Sequence, residues 1–356
     1  MAIDLHKILE EMFEKSASDL HLSVGSAPHI RVDGNLLPLG DEKLTEITAK
    51  NLIYSVLTNE QRARFEREKE LDFAFSREGL GRFRVNVFWQ RGFVGAAIRA
   101  LPSEFKTFEE CGLPIKVAEN LCQRQKGLVL ITGATGSGKS TTLASMINWI
   151  NSRKNSHIIT VEDPIEYIHS NKECIVDQRE VGSDTHSFAE SLKHVLREDP
   201  DVIMIGEMRD LETIESALVI AETGHLVFAS LHTSDSVQTI NRIIDVFPSR
   251  QQPQVRAQLS FVLIGVLSQQ LIPKITGEGR VLAVEVMLPN HAIRSQIREA
   301  KVHQLYSALQ IGQKEGMQTM NQSLFGLYLD GYISKEDALA RSTEVQDLER
   351  MFKEKA

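Results

Sequence analysis

The sequence predicts an α/β protein with a mostly parallel sheet, preceded by a small α+β domain. Beyond residue 126, near-continuous apolar runs alternate with helical segments, as expected of parallel strands buried on both faces. In the first hundred residues the apolar and polar positions instead alternate with the two-residue period of half-buried strands. The apolar runs are GLVLIT (127–132), HIITVED (157–163), DVIMIGE (201–207), HLVFASL (225–231) and VLAVEVM (281–287).

The first domain, residues 1–99, is expected to be rich in hairpins. Asp33-Gly34 lies between short apolar runs and predicts a turn, and the apolar spacing over 43–66 predicts helix. The segment 81–99, GRFRVNVFWQRGFVGAAIR, predicts two strands joined at Arg91-Gly92. The two-residue period places the arginines of these strands on the face opposite the apolar residues; they are Arg82, Arg84 and Arg99.

Residues 100–115 lose periodicity and contain two prolines and a glycine. Such a composition is typical of a connection between folded parts. We therefore expect a linker here, followed by a second domain over 116–356. A helix in that domain is predicted over 187–198, where Ser187 and Glu190 have the spacing of a capping box.

Composition excludes several classes of protein. The net charge of −8 argues against a nucleic-acid-binding surface, which normally carries a basic excess. Cys111, Cys122 and Cys174 form no CxxC pair, which excludes a cysteine-based zinc ribbon. The N-terminus lacks the apolar block of a signal peptide, and the most apolar stretch, 259–272, is too short and interrupted to span a membrane. We expect a cytoplasmic protein without direct membrane insertion.

The segment GATGSGKS, from Gly133 to Ser140, fits the phosphate-binding loop G-x-x-x-x-G-K-[ST] between a strand and a helix. Its glycines allow backbone N–H groups to surround phosphate oxygens, Lys139 reaches the β- and γ-phosphates, and Ser140 offers its hydroxyl to Mg²⁺. The sequence therefore predicts a site for a nucleoside triphosphate such as ATP. The predicted nucleotide-binding residues are Gly133, Thr135, Gly136, Ser137, Gly138, Lys139, Ser140 and Thr141.

Two strands are expected to end in acidic residues near this loop. The stretch VEDPIE carries Glu162 and Asp163 at the end of its strand. The stretch DPDVIMIGEMRD (199–210) has Gly206 where a metal-binding acid is common, and Glu207 follows one position later. We expect Glu207 to activate or orient the attacking water, and we expect Mg²⁺ to be held by Ser140, phosphate oxygens and waters, with Glu162 acting directly or through a water. The spacing does not decide which glutamate is the base.

His225 and His232 stand at the two ends of the predicted strand 225–231. A strand of this length separates them by about 20 Å, so both cannot contact one phosphate. Either imidazole could sense a γ-phosphate through a hydrogen bond, although a structural histidine at a strand end is the commoner case. Arg82, Arg84 and Arg99 could stabilise a transferred phosphoryl group from another subunit, or they could form a solvated strand face.

Taken in order, the motifs GATGSGKST, TVEDPIEY, DPDVIMIGEMRD and ETGHLVFASLHT resemble the secretion-ATPase superfamily, and most closely its PilT-type retraction ATPases. The resemblance implies a PAS-like domain followed by a RecA-like ATPase core, assembled as a homohexamer with ATP between subunits. It further implies that Glu162 and Glu207 are the acidic catalytic pair, that His232 and His225 sense the γ-phosphate, and that the three arginines contact nucleotide. A glycine before the second glutamate is itself a family trait.

The resemblance also implies a function, namely hydrolysis of ATP to power type IV pilus retraction and thereby twitching motility. Its partners would be an inner-membrane platform protein and, indirectly, pilin, so that the chain would lie peripherally at that membrane. Retraction ATPases carry the motif AIRNLIRE, and residues 292–299, AIRSQIRE, match six of its eight positions. Ser295 and Gln296 are the departures, and they leave open whether the chain is a primary or an accessory retraction ATPase.

Three alternatives remain at the level of sequence. The first is a pilus assembly or type II secretion ATPase, although these commonly carry a four-cysteine zinc site that is missing here. The second is a nucleotide-gated ring with little turnover. The third is a nucleic-acid translocase, against which the acidic charge balance counts.

Overall fold

The computed structural model describes residues 4–15, 17–32, 34–101 and 104–355, which divide into two units. The first unit contains the described residues up to Glu104 together with Glu166–Ile168, and the second contains Phe105–Ile165 and the residues from His169 onward. Within these ranges, none of the helices has both the length and the apolar character needed to cross a membrane.

The first unit is built around an antiparallel sheet with the strand order β3-β2-β1-β6-β5-β4. Its strands are β1 (Asp19–Leu22), β2 (His29–Val32), β3 (Asn35–Pro38), β4 (Glu70–Arg77), β5 (Gly81–Gln90) and β6 (Phe93–Ala100). Its helices are α1 (Leu5–Glu14), α2 (Glu46–Tyr54) and α3 (Asn59–Glu68). The helical spacing over 43–66 thus belongs to two helices, because Thr58 caps a new one through a capping box with Gln61.

The predicted hairpin over 81–99 is confirmed. Gln90 pairs with Phe93, so that Arg91-Gly92 forms the turn, and both turn residues have positive φ values of 50° and 83°. Phe83, Val85 and Val87 are fully buried on one face. Asp33 lies outside the described residues, but the strands on either side of it pair as a hairpin, with Val32 opposite Asn35.

The second unit contains the predicted, mostly parallel sheet, with the strand order β13-β12-β7-β11-β10-β8-β9. Its strands are β7 (Gly127–Thr132), β8 (His157–Glu162), β9 (Ile175–Glu180), β10 (Val202–Ile205), β11 (Leu226–Leu231), β12 (Leu263–Pro273) and β13 (Arg280–Met287). Only β13 runs antiparallel to its neighbour. Each of the five predicted apolar runs contains a strand, and the predicted fold class is confirmed.

Helices cover both faces of this sheet. Leu128 and Leu130 of β7 belong to the core on one face, whereas Val129 and Ile131 belong to the core on the other. The α-helices are α4 (Ile115–Gln123), α5 (Lys139–Asn151), α6 (Phe188–Val195), α7 (Leu211–Glu222), α8 (Ser236–Asp245), α9 (Gln252–Val262), α10 (His291–Arg298), α11 (Leu305–Ile311), α12 (Met320–Leu329), α13 (Lys335–Arg341) and α14 (Val345–Lys355). Short 3₁₀ helices occupy Val302–Gln304 and Gly312–Glu315.

The outer edge of β13 is covered by the chain segment that leads into α12. The backbone N–H and carbonyl groups of Val286 pair with those of Gln318 at 2.8 and 3.0 Å. The N–H group of Val284 donates to Ser323 Oγ at 3.0 Å, and its carbonyl accepts from Gln318 Nε2 at 3.1 Å. The outward-facing backbone groups of both valines are therefore hydrogen-bonded.

Candidate active site

The phosphate-binding motif forms the connection between β7 and α5, and its glycines are required by close contacts. Gly133 has a φ of 141°, and a Cβ atom there would lie 2.4 Å from the carbonyl oxygen of Gln269 and 2.5 Å from Ser137 Oγ. Gly138 caps α5 with a φ of 92°. The loop can therefore bend tightly against β12 only with glycine at these positions.

Lys139 lies in the first turn of α5 and is 9% exposed. Its Nζ atom donates to the carbonyl oxygens of Gly133 and Ala134, at 2.8 and 3.0 Å. The loop thereby holds its ammonium group where a phosphate would be bound. Ser137 Oγ is buried and has no hydrogen-bond partner among the described residues, so it is a further group that a phosphate oxygen could satisfy.

The remaining loop residues are arranged for the same ligand. Thr135 and Gly136 are exposed at the tip of the loop. Ser140 and Thr141 lie in the first turn of α5, where the helix dipole favours an anion. The half-buried Ser140 hydroxyl occupies the position from which such loops bind Mg²⁺.

Glu207 follows β10, and its carboxylate contacts the side chains of Arg209 and His232. Its Oε2 atom accepts a hydrogen bond from Arg209 Nη2 at 2.7 Å, and its Oε1 atom lies 3.2 Å from His232 Nε2. Burial raises the pKa of Glu207, but Arg209 and His232 together lower it by more, so the pKa lies below its usual value. The carboxyl group is therefore ionised at neutral pH.

Glu162 ends the neighbouring strand β8 and is 7% exposed. Its Oε1 atom accepts hydrogen bonds from Thr160 Oγ1 at 2.7 Å and from Gln178 Nε2 on β9 at 3.1 Å. These two donors fix the orientation of the carboxylate. A buried carboxylate oriented in this way, at the sheet edge that also carries the phosphate loop, is suited to contact a water or a metal ion.

Gly206 explains the displacement of the acid on β10. A Cβ atom there would lie 3.3 Å from Glu162 Cα and 3.3 Å from the Val161 carbonyl oxygen, closer than most such contacts. The Gly206 N–H group donates to that carbonyl at 2.8 Å, and the Gly206 carbonyl accepts from Ser230 Oγ at 2.6 Å. Glycine thus lets the ends of β8 and β10 approach each other. The acidic side chain at the end of β10 is then supplied one position later, by Glu207.

These groups share one edge of the parallel sheet. The order β7-β11-β10-β8 places His232, Glu207 and Glu162 after three successive strands beside the strand of the phosphate loop. At a strand spacing of about 4.8 Å, β10 lies roughly 10 Å and β8 roughly 14 Å from β7. The carboxyl ends of parallel strands are where α/β proteins bind their ligands.

The donor set fits Mg²⁺ held together with a nucleotide. Within the part of the chain that the structure describes, no group of three or more His, Cys, Asp or Glu residues could by itself hold a metal ion. Mg²⁺ is usually bound through one or two protein oxygens, with phosphates and waters completing its shell. The hydroxyl of Ser140 and a carboxylate from Glu162 or Glu207 meet that need.

His225 is not brought to this cluster. It precedes β11 at the opposite edge of the sheet, where its Nδ1 atom lies 3.1 Å from the carbonyl oxygen of Ile220 and 3.2 Å from Thr223 Oγ1. Its own carbonyl accepts from the N–H group of Gly127 at the start of β7. Within its own chain, His225 therefore has the contacts of a structural histidine.

The three predicted arginines lie on β5 and β6 of the first unit. Arg84 stands directly opposite Arg99 in the strand register. The Nε atom of Arg99 donates to Asp19 Oδ1 at 2.8 Å, Arg84 is exposed, and Arg82 is half-buried. Like charges opposite one another destabilise a sheet, and Asp19 offsets this repulsion at Arg99.

Sequence reasoning missed Arg209 and Gln178, which hold the two glutamates. The role of Arg209 could have been predicted from the sequence, because a cationic side chain two positions after Glu207 is close enough to contact its carboxylate. The role of Gln178 could not, because that residue reaches Glu162 from β9, a strand that the polar segment IVDQRE did not predict.

Comparison with known proteins agrees with this arrangement. Residues 1–323 match a family model described as type II/IV secretion system protein. The chain is 50% identical over 336 residues to the type IV pilus retractation ATPase PilT of Pseudomonas aeruginosa, covering 94% of this chain and 97% of that one. It is 42% identical to the type IV pilus ATPase PilU of the same organism, covering 99% and 92%.

A solved structure is similar over the same length. It is a crystal structure described as the pilus retraction motor PilT with bound ADP, and the two superpose with a TM-score of 0.93. The sequences are 54% identical, and the match covers 98% of this chain and 100% of that one. The family model matches most of the chain, and these relatives match nearly all of it. The chain therefore belongs to the type II/IV secretion system protein family.

Proposed function

We propose that this chain is an ATPase that powers type IV pilus retraction as a ring of six subunits. The observation that carries the proposal is the joint presence of an intact phosphate loop and two oriented glutamates at one sheet edge. The chain is similar over almost its whole length to a protein named as a retraction ATPase. This similarity supports retraction, and not extension, as the direction of the motor.

In this proposal the loop from Gly133 to Thr141 binds the phosphates of ATP. The ammonium group of Lys139 exchanges its contacts with loop carbonyls for the β- and γ-phosphates, and backbone N–H groups of the loop complete the phosphate site. Ser140 and one glutamate hold Mg²⁺, which, when bound, would neutralise charge on the phosphates.

Glu162 and Glu207 divide the remaining work. Both are candidates to orient and deprotonate the attacking water, and the one that does not do so serves the metal. The low pKa of Glu207 keeps it ionised, which suits metal binding and the orientation of water better than it suits strong proton abstraction. Both carboxylates therefore stay candidates for the base, and the variants described below distinguish them.

His232 is the proposed sensor of the γ-phosphate. Its imidazole is exposed and already bonded to Glu207, so a γ-phosphate that competes for this bond would report occupancy directly to the glutamate. We assign this role to His232 alone, because His225 lies at the other end of β11. Arg82, Arg84 and Arg99 are proposed to contact nucleotide from a neighbouring subunit.

The mechanical partners follow from the motor assignment. We propose that the ring acts on an inner-membrane platform protein, lies peripherally at the membrane through that contact, and so withdraws pilin from the base of the fibre. The helix α10 carries the AIRSQIRE segment; Ile293 and Ile297 are fully buried, and Arg294 donates to the carbonyls of Ser260 and Phe261 at the end of α9.

The first test is phosphate release by the purified chain, compared with Glu207→Gln and Glu162→Gln. Both variants are expected to bind ATP, and loss of the base is expected to lower kcat by about a hundredfold or more. A loss that a high Mg²⁺ concentration restores identifies the metal ligand, whereas a loss that persists identifies the base. Glu215→Gln, at an exposed glutamate of α7, is the matched control.

Two outcomes would overturn parts of the proposal. If the wild type assembles and binds ATP but releases no phosphate, the chain is a nucleotide-gated ring. If cells that lack the protein are bald, and not covered in pili that fail to retract, the chain is an assembly ATPase.

A further inference from the structure

A cavity of about 520 Å³ lies in the second unit, at the edge of the sheet opposite to the one that carries the phosphate loop. It is bordered by α4, by Ile264 near the start of β12, and by Leu288 and Pro289 just after β13. The start of β12 pairs with the start of β7, so the length of β7 separates the cavity from the loop. Six residues of strand correspond to roughly 20 Å.

Positive charge dominates the border of this cavity. Four cationic side chains line it, against the single carboxylate of Glu315, which accepts hydrogen bonds from Asn290. The cations are Lys116, Arg124, Arg294 and Lys314. Among the described residues, none of the four has an ion-pair partner within 4.0 Å. This is an unusual concentration of unpaired charge in a chain whose net charge is −8.

Arg294 is the most constrained of these cations. Its Nη1 atom donates to the backbone carbonyl oxygens of Ser260 and Phe261, which are neutral acceptors. Burial lowers its pKa, and the nearby charges of Arg298 and Arg124 lower it further. The guanidinium groups around this cavity therefore repel one another, and a bound anion would relieve that repulsion.

The floor of the cavity is apolar. It is formed by Val117, Leu121, Ile264 and Leu288. Gly316, with a φ of 90°, brings its backbone against this floor, and a Cβ atom there would lie 3.2 Å from Val117 Cγ2. The cavity thus combines an apolar surface with a rim of cations, which suits a ligand with an apolar body and an anionic group.

We propose that this cavity is a second ligand site, separate from the hydrolytic site, for a small molecule that carries a phosphate group on an apolar ring system. Its size is within the range of small-molecule sites, about 300–1,000 Å³. Arginine binds phosphate oxygens in a bidentate manner and is the residue best suited to this contact.

The probes for the test are ADP and inorganic pyrophosphate, measured by equilibrium dialysis against the full chain. ADP joins a diphosphate to a planar base through a ribose, and pyrophosphate is the anionic group alone. We expect the wild type to bind two ADP molecules per chain. Arg124→Gln should weaken the second site by about tenfold or more, since a charge-assisted hydrogen bond is lost, while Lys139→Ala should abolish only the first.

Lys126→Gln is the matched control, because it removes an exposed cation just beyond α4 that does not line the cavity. It should leave both sites intact. Pyrophosphate should compete for the second site in the wild type, but only weakly in Arg124→Gln.

The proposal is overturned if neither probe shows a difference between the wild type and Arg124→Gln. If, in addition, Arg124→Gln breaks the assembly in sedimentation, the cavity instead receives a carboxylate from a neighbouring copy of the chain. If this second site does not exist, the proposed ATPase function is unaffected, because phosphate release depends on the loop that contains Lys139.

Discussion

At Gly206 a single missing side chain sets the spacing of the two catalytic candidates. The backbone there is hydrogen-bonded on one side to Val161 and on the other to Ser230. The main-chain bond to Val161 brings the ends of β8 and β10 together, and the Ser230 hydroxyl joins β10 to β11, so the approach of Glu162 and Glu207 depends on a main-chain contact. Side-chain packing can adjust to a substitution, whereas a main-chain contact of this kind has little room to do so.

Gly206→Ala is therefore expected to lower the free energy of unfolding by about 1–3 kcal/mol, because its Cβ atom would crowd the β8 backbone. It should also lower kcat by on the order of 10- to 100-fold, since Glu162 would be displaced. Urea unfolding and steady-state phosphate release measure the two effects.

The control is Gly326→Ala in α12, where, apart from the neighbouring backbone of the helix itself, no described atom lies within 4 Å of the added Cβ atom. There the substitution should stabilise the protein by about 0.5–1 kcal/mol through the better helix propensity of alanine. If both substitutions have the same effect, the close approach of β10 and β8 is not what selects glycine at 206.

The pair Glu207–Arg209 predicts that the free energy of unfolding depends on pH. Because the folded-state pKa of Glu207 lies below its unfolded value of about 4.3, the pair contributes stability above that pH and loses it as the pH falls through the folded pKa. Arg209→Gln should therefore destabilise the protein, by less than about 1 kcal/mol, at pH 6–7. The difference from wild type should shrink below about pH 4.

Thermal unfolding across this pH range measures the effect. In a Glu207→Gln background, Arg209→Gln should cause no pH-dependent change, and Arg250→Gln, at an exposed arginine, should cause none in either background. A difference that persists unchanged to pH 3 would mean that Arg209 acts on stability through another group.

At the level of single residues, the sequence predicted the hydrolytic cluster only in part. The loop residues, Glu162, Glu207 and His232 could be named, because each stands in a short motif next to a buried strand. Gln178 could not, because its contact with Glu162 depends on the pairing of β9 with β8 across 16 residues of chain. Long-range pairing leaves no local pattern.

At the level of elements, the stretch 259–272 shows what periodicity cannot resolve. Its apolar residues belong to the last turn of α9 and to β12, which begins at Leu263 directly after the helix. A continuous apolar run is compatible with a buried helix and with a buried strand. The five predicted strands were recognisable because turn-forming or charged residues bound them on both sides.

The helix α10 carries the two departures from the retraction motif. Ser295 Oγ donates to Glu299 on the exposed face. Gln296 borders a separate cavity of about 460 Å³, and its Oε1 atom is buried without a hydrogen-bond partner among the described residues. A leucine at this position would have no polar atom to satisfy.

Gln296→Leu should therefore raise the free energy of unfolding by about 1 kcal/mol, the penalty of an unsatisfied buried acceptor. Denaturant unfolding measures the change. Gln313→Leu, at an exposed position, is the control and should give no gain. A loss of stability in Gln296→Leu would show that the amide oxygen has a partner, such as a bound water.

At the level of the whole molecule, the proposed ring makes a prediction about shared sites. Arg84 has no ion-pair partner among the described residues and is exposed opposite Arg99. If it serves the nucleotide of a neighbouring subunit, Arg84→Ala and Lys139→Ala chains should each be nearly inactive alone. Mixed rings should recover part of the hydrolysis, because some interfaces then join an intact loop to an intact arginine.

Phosphate release by mixed and unmixed preparations measures this recovery. Arg77→Ala, at an exposed arginine of β4, should remain active alone and is the control. If Arg84→Ala is fully active by itself, or if mixing restores nothing, the arginine does not act between subunits.

The covered edge of β13 has a consequence for how copies of the chain can meet. An open strand edge at the side of a sheet is a template on which another chain can add a strand, and such additions can continue without limit into fibres. Gln318 and Ser323 occupy the hydrogen-bonding groups of Val284 and Val286, so these two positions of the described edge offer no such template. A second copy that approaches the edge at these positions would therefore meet side chains and not open backbone groups, so it could not extend the sheet from there.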